Sequence, residues 1–126
     1  MTTTNDMIAT SLTVTSEIIR AYAELTNDYN PIHLDPDFAA STPMGRVIAH
    51  GTMSIGLLFT CIERTFPGVR FDDLTLDIKF TGPVYVGDKI TAGGHRTAES
   101  GNQFDVWVRG QDDTVRLAGV LTLPAL

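Results

Sequence analysis

The residue types that could do acid-base chemistry gather in Asp28-Tyr-Asn30-Pro31-Ile-His33, with Ala49-His50-Gly51 further along. Asp28 and His33 are five positions apart. On an unbroken helix that spacing would put them on different sides of the cylinder. Pro31 lifts the objection, because it pushes Asn30 out of the α region and cannot continue the hydrogen-bond ladder. With the helix broken between them, a carboxylate and an imidazole can face one pocket, hold one water and pass a proton in each direction. The commoner meaning of such a pair is an aspartate at a helix end and a packed or solvated histidine, so spacing alone does not carry the function. Asn30 reads first as the turn residue ahead of Pro31, with an amide also able to orient Asp28 or His33 without touching the substrate. Gly51 is either a glycine that a helix start needs for backbone reasons or an amide with no side chain to block a ligand's approach. For His50 a packing or turn role is favoured, since proton transfer by one carboxylate and one imidazole needs no third titratable group.

These residues need elements to hold them. Thr15 or Ser16 can cap a helix whose apolar residues Ile18, Ile19, Tyr22 and Leu25 recur at threes and fours up to about Asn27. Residues 28 to 49 then read as an irregular excursion. Asp35-Pro36 starts a short helical piece through Ala40, and Thr42-Pro43 ends it. A loop of that length is usually functional. From Thr52 the run through Ile62 is apolar nearly all round and stops at Pro67-Gly68, which predicts a buried helix rather than an amphipathic one. The period then changes to two: Leu74, Leu76, Ile78 and Phe80 alternate with polar residues, as in a strand with one wet face. Further strands are expected at Lys89 to Thr97, Gln103 to Arg109 and Val115 to Leu123, and an extra one near Ser11 to Val14, with turns at Pro83 to Asp88, Ser100-Gly101-Asn102 and Gln111-Asp112-Asp113. The order predicts an α+β fold in which an antiparallel sheet covers one apolar helix. Cys61, Met44 and Met53 read as small or flexible buried hydrophobes, and Trp107, opposite Phe104, Val106 and Val108, as either exposed or covering a subunit contact.

The 126 residues fit one domain, and 43% hydrophobic against 19% charged residues is an ordinary globular balance. A formal charge of −6 opposes a general nucleic-acid or anionic-membrane binder. With Cys61 the lone cysteine, neither a disulfide within the chain nor a zinc site of four cysteines, or of two cysteines and two histidines, can form, and no metal is expected. The absence of a signal-like start and of a long apolar run points to a cytoplasmic protein with no membrane partner.

The segment from Tyr22 to Ala39 resembles the hydratase motif of the MaoC-like, (R)-specific enoyl-CoA hydratases. Asp28, Asn30, Pro31, Ile32, His33 and Ala39 fall in place. Ala49-His50-Gly51 is similar to the family's His-Gly turn into its central helix, and Phe80-Thr-Gly-Pro-Val-Tyr-Val-Gly-Asp88 to its Phe-x-x-Pro-Val-x-x-Gly-Asp strand exit. The family's glycine before the aspartate is Asn27 here, a residue that tolerates the left-handed conformation of a helix cap. The resemblance implies a hotdog fold, one such domain over residues 1–126, and a homodimer or higher homo-oligomer with its pocket near the subunit boundary. It further implies reversible syn hydration of a trans-2-enoyl-CoA to an (R)-3-hydroxyacyl-CoA without a cofactor. Asp28 and His33 would hold the water and the Gly51 amide would bind the thioester carbonyl. The alternatives are an acyl-CoA thioesterase of the same fold and a non-catalytic acyl-CoA-binding partner subunit. The first usually places a carboxylate on its central helix, and Thr52 to Ile62 contains neither Asp nor Glu. The His-Phe-Pro context of the related acyl-carrier-protein dehydratases is absent. The CoA phosphates would find partners among Arg46, Lys79, Lys89, Arg96, Arg109 and Arg116.

Overall fold

The computed structural model describes residues 5–97 and 101–124. The Thr-rich first residues, and Ser100 of the expected turn, lie outside that range. Strand β1 (Thr10–Thr13) leads into helix α1 (Ser16–Thr26). Thr15 is its N-cap, extended at φ −94° and ψ 164°, with its side chain accepting from the Ile18 N–H. Asn27 closes the helix at φ 55° and ψ 35°, the left-handed conformation. Its N–H and that of Asp28 both turn back to the Ala23 carbonyl.

The buried stripe of α1 is Ile19 and Ala23, with Ile18 and Tyr22 packed partly against the core. Leu25, expected within it, is 80% exposed. At 100° per residue it lies well round the cylinder from Ile19, while Ala23 sits one turn above it.

Residues 28 to 49 are more ordered than expected. A one-turn helix, α2 (Pro31–Leu34), spans the segment read as irregular, and α3 (Pro36–Ala40) follows it. Each has proline in its first turn and a side chain capping its start: Asn30 Oδ1 accepts from Ile32 N, and Asp35 Oδ1 from Asp37 N and Phe38 N. Pro31 therefore begins a helix after the left-handed Asn27 has already ended α1, and Pro36 begins α3 directly after α2.

Helix α4 (Gly51–Thr65) is followed by β2 (Thr75–Phe80), β3 (Lys89–Arg96), β4 (Gln103–Arg109) and β5 (Val115–Thr122). The five strands form one sheet in the order β1-β3-β4-β5-β2, every neighbouring pair antiparallel. Its inner face presents Ile90 and Ala92, Phe104, Val106 and Val108, and Leu117 and Leu121, all buried against Met53, Leu57, Leu58, Cys61 and Ile62 of α4. This alternation is why the period-two strands and the apolar helix need each other: each buries the other's apolar surface.

Three details depart from expectation. Helix α4 is not enclosed all round, since Thr52, Gly56, Phe59 and Thr60 face outward within the protomer. Phe59 lies there against Phe71, with ring centroids 5.2 Å apart. Of the methionines read as buried, Met53 is (5% exposed) but Met44 is 40% exposed. On edge strand β2, Leu76 and Ile78 are half-buried and Phe80 is exposed. Trp107 is partly covered, with the Arg109 guanidinium 4.2 Å from its ring centroid.

Candidate active site

The left-handed turn at Asn27 throws the chain out of α1 so that Asp28 stands at its end, and α2 then carries His33 back towards it. The Asn30 N–H donates to Asp28 Oδ1 (3.2 Å), while the Asn30 side chain is committed to capping α2. Asn30 thus reaches Asp28 through its backbone, not through the amide considered from sequence. His33 Nδ1 is 2.7 Å from the Ile48 carbonyl. A carbonyl can only accept, so Nδ1 carries the proton and Nε2 keeps a lone pair.

The segment holding Ile48 is itself held. Ile48 forms an antiparallel bridge with Tyr85. The Ala49 N–H donates to Val84 O (2.7 Å) and the Val86 N–H to Val47 O (3.1 Å). The turn that offers those groups is closed by Gly87 at φ 92°, a conformation that favours glycine, and by buried Asp88. Asp88 accepts from Tyr85 N (2.9 Å) and Gln111 Nε2 (3.1 Å), with Arg116 at 3.5 Å and Arg46 at 3.9 Å. The Phe80-to-Asp88 motif therefore supports the strap that positions His33.

His50 ends the strap. It is 3% exposed, and its Nε2 lies 3.0 Å from the Asp28 carbonyl. Its ring stacks on His33 with centroids 3.9 Å apart and planes 26° from parallel. The Tyr22 ring is tilted against it with centroids 5.1 Å apart and joins its hydroxyl to Thr52 Oγ1 at 2.6 Å. Gly51 is the first residue of α4, and a side chain there would meet the Phe80 ring at 3.3 Å. The expected residues are thus brought together: ligating atoms of Asp28, His33 and His50 all lie within 4.8 Å of one another. Asp28 is exposed and His33 half-buried, so the cluster opens outward.

Such a trio has the residue types of a metal site and equally those of a proton-transfer site. One nitrogen of each imidazole is used on a backbone carbonyl, the kind of contact that fixes the tautomer and orients the other nitrogen, whether as a proton acceptor or as a ligand. Sequence reasoning missed the Ile48 carbonyl, which has no side-chain signature. It also missed the Tyr22–Thr52 hydroxyl pair and the Phe80 ring beside Gly51. Among the candidate phosphate-binding cations, Arg116 is committed to Asp88 and Asp112, and Arg46 lies 4.3 Å over the Tyr85 ring. Arg96 bonds the Gly101 carbonyl and lies over Phe104.

Residues 2–114 match the family model described as MaoC like domain. The chain belongs to that family, and its sheet around α4 is the family's hotdog fold. It is 40% identical over 74 residues to the (R)-specific enoyl-CoA hydratase of Aeromonas caviae, which covers 59% of this chain and 55% of that protein. It is 39% identical over 77 residues to the 3-hydroxybutyryl-CoA dehydratase of Methylorubrum extorquens, covering 61% and 49%. The chain thus spans about half the length of the curated relatives it matches. The solved structure of an (R)-hydratase from A. caviae involved in PHA biosynthesis superposes with a TM-score of 0.79 at 28% identity, covering 98% of both chains. No helix among the described residues is long and apolar enough to cross a membrane.

Proposed function

We propose that this protein is a hydro-lyase that adds water reversibly to a trans-2-enoyl-CoA, giving the (R)-3-hydroxyacyl-CoA. The observation that carries the reading is the convergence of the Asp28 carboxylate and His33 across a helix break, with His33 Nε2 left as an acceptor. Hydratases and dehydratases among the relatives support it. Asp28 and His33 hold one water from two directions. As its oxygen bonds to the β-carbon, the water's O–H bond breaks and the pair takes the proton. The electron pair of the double bond moves onto the thioester oxygen, giving an enolate. The pair then returns one proton to the α-carbon on the same face, so addition is syn and no net proton is consumed. The Gly51 N–H, at the start of α4, is a preorganised donor for the enolate oxygen. No step calls for a cofactor or metal.

Residues 1–126 are proposed to work as one such domain, in a cytoplasmic homodimer or higher homo-oligomer that binds neither nucleic acid nor membrane. Crotonyl-CoA tests the activity: loss of the conjugated enoyl absorbance with an (R) product is expected. An (S) product, or no turnover at any chain length, overturns the reading. Release of free CoA would mark a thioesterase. Binding without either reaction would mark a partner subunit.

A further inference from the structure

The three groups assigned to catalysis meet at one side chain that the reaction does not consume. His50 donates from Nε2 to the Asp28 carbonyl, lies face to face with the His33 ring, and is joined by its own peptide bond to Gly51. The contact to Asp28 fixes its protonation pattern, since the carbonyl demands a proton on Nε2 and leaves Nδ1 with a lone pair. Nδ1 is buried, and no donor among the described residues reaches it. An unsatisfied buried acceptor costs stability. A phenyl ring at this position would keep an aromatic face toward His33 and leave no orphan atom, so the stack alone does not account for an imidazole.

We infer that His50 is a positioning residue, which ties the backbone of Asp28 to the ring of His33 and so sets the separation across which they share a water. The inference rests on the proposed hydratase reading. Asp28 is exposed at a helix end and His33 sits on a single helical turn, and beyond the Asn30 N–H bond to Asp28 it is His50 that joins the two. The hydrogen bond from His50 restrains the first and the stack restrains the second. Because Gly51 begins α4, the same residue relates the pair to the proposed enolate donor. Tyr22, its ring tilted against that of His50 at 5.1 Å, adds a second packing contact.

Two variants separate the contacts. His50→Phe keeps a ring against His33 and removes the donor to Asp28. His50→Gln keeps a donor and removes the stack. For each, kcat and KM on crotonyl-CoA, the thermal midpoint and the ¹⁵N shifts of the His33 ring are measured on the full chain. His50→Phe is expected to lower kcat by about 10- to 100-fold, the scale of a misplacement near 1 Å, with KM within about threefold and no loss of thermal midpoint. His50→Gln should retain more activity than His50→Phe, and His33 should lose its single Nδ1–H pattern in it. The inference is overturned if both variants keep kcat within about threefold of wild type, or if activity falls only in proportion to folded protein. If wild type itself turns over no enoyl thioester, the hydratase reading fails. The His33 shifts then decide the positioning claim separately: unchanged shifts in both variants overturn it.

Discussion

Asp28→Asn preserves shape and removes a proton acceptor, whereas His33→Ala removes both an acceptor and a contact to the Ile48 carbonyl. Each should lower kcat by about 10²- to 10⁴-fold, the scale of a positioned acid or base. The double variant should be little worse than either single one, because two groups serving one water act as a unit. Near-full activity in a folded Asp28→Asn protein would remove the acid-base assignment. Cys61 offers a different test. Burial among apolar side chains pushes its thiol pKa up, with the Thr10 and Thr65 hydroxyls and the Arg64 charge opposing more weakly. A folded pKa above the unfolded one gives stability that is fully present below the ordinary thiol value of about 8.5 and is lost as pH rises through the folded value. Denaturant midpoints should therefore fall more steeply on the alkaline side for wild type than for Cys61→Ala. Equal slopes would show that the thiol is not coupled to folding.

At the scale of the element, the left-handed residue ending α1 decides where Asp28 stands. Asn27→Ala keeps a β-carbon in that conformation but loses the short polar side chain that eases it, at a cost of up to about 1 kcal/mol, while Asn27→Gly, with no β-carbon, should be neutral or stabilising. Activity should follow the same order, and Asn27→Ala matching Asn27→Gly in both respects would show that the cap does not set the site. The turn at Asp88 makes a longer-range demand. Asp88→Ala removes the acceptor for Tyr85 N and leaves Arg116, only 13% exposed, without its main buried counter-charge. A loss of about 3–5 kcal/mol is expected by chemical denaturation, the usual effect of breaking a buried pair from one side. A loss below about 1 kcal/mol would place the turn's stability in its backbone bonds instead.

For the whole molecule, the open face of α4 and the two sheet edges frame one question. Among the described residues, strands β1 and β2 each have an unpaired side, and Phe80 (55% exposed) and Phe59 (39% exposed) leave aromatic surface outside the protomer's core. Edges and apolar surface of this kind call for cover. Light scattering at micromolar concentration should therefore report at least a dimer, and dilution to a stable, active monomer would refute a pocket shared between subunits.

The local chain already contained much of this. Thr15 and Asn27 mark the ends of α1, Pro31 breaks the ladder between Asp28 and His33, and the change of period after Gly68 separates the central helix from the sheet. All of these act within a few residues of where they stand, which is why they can be read in order. Asp28, His33 and Gly51 were legible as candidates through their motifs. His50 was legible as a candidate beside Gly51 but not in what it touches, because its stack on His33 and its bond to Asp28 connect segments far apart in sequence. Nothing in the order of residues names the Ile48 carbonyl as the acceptor for His33, since every residue there carries the same backbone group. The exposure of Leu25 and of one side of α4 was hidden for a related reason. Periodicity tells which residues share a face, but only the packing of the elements decides which faces are covered.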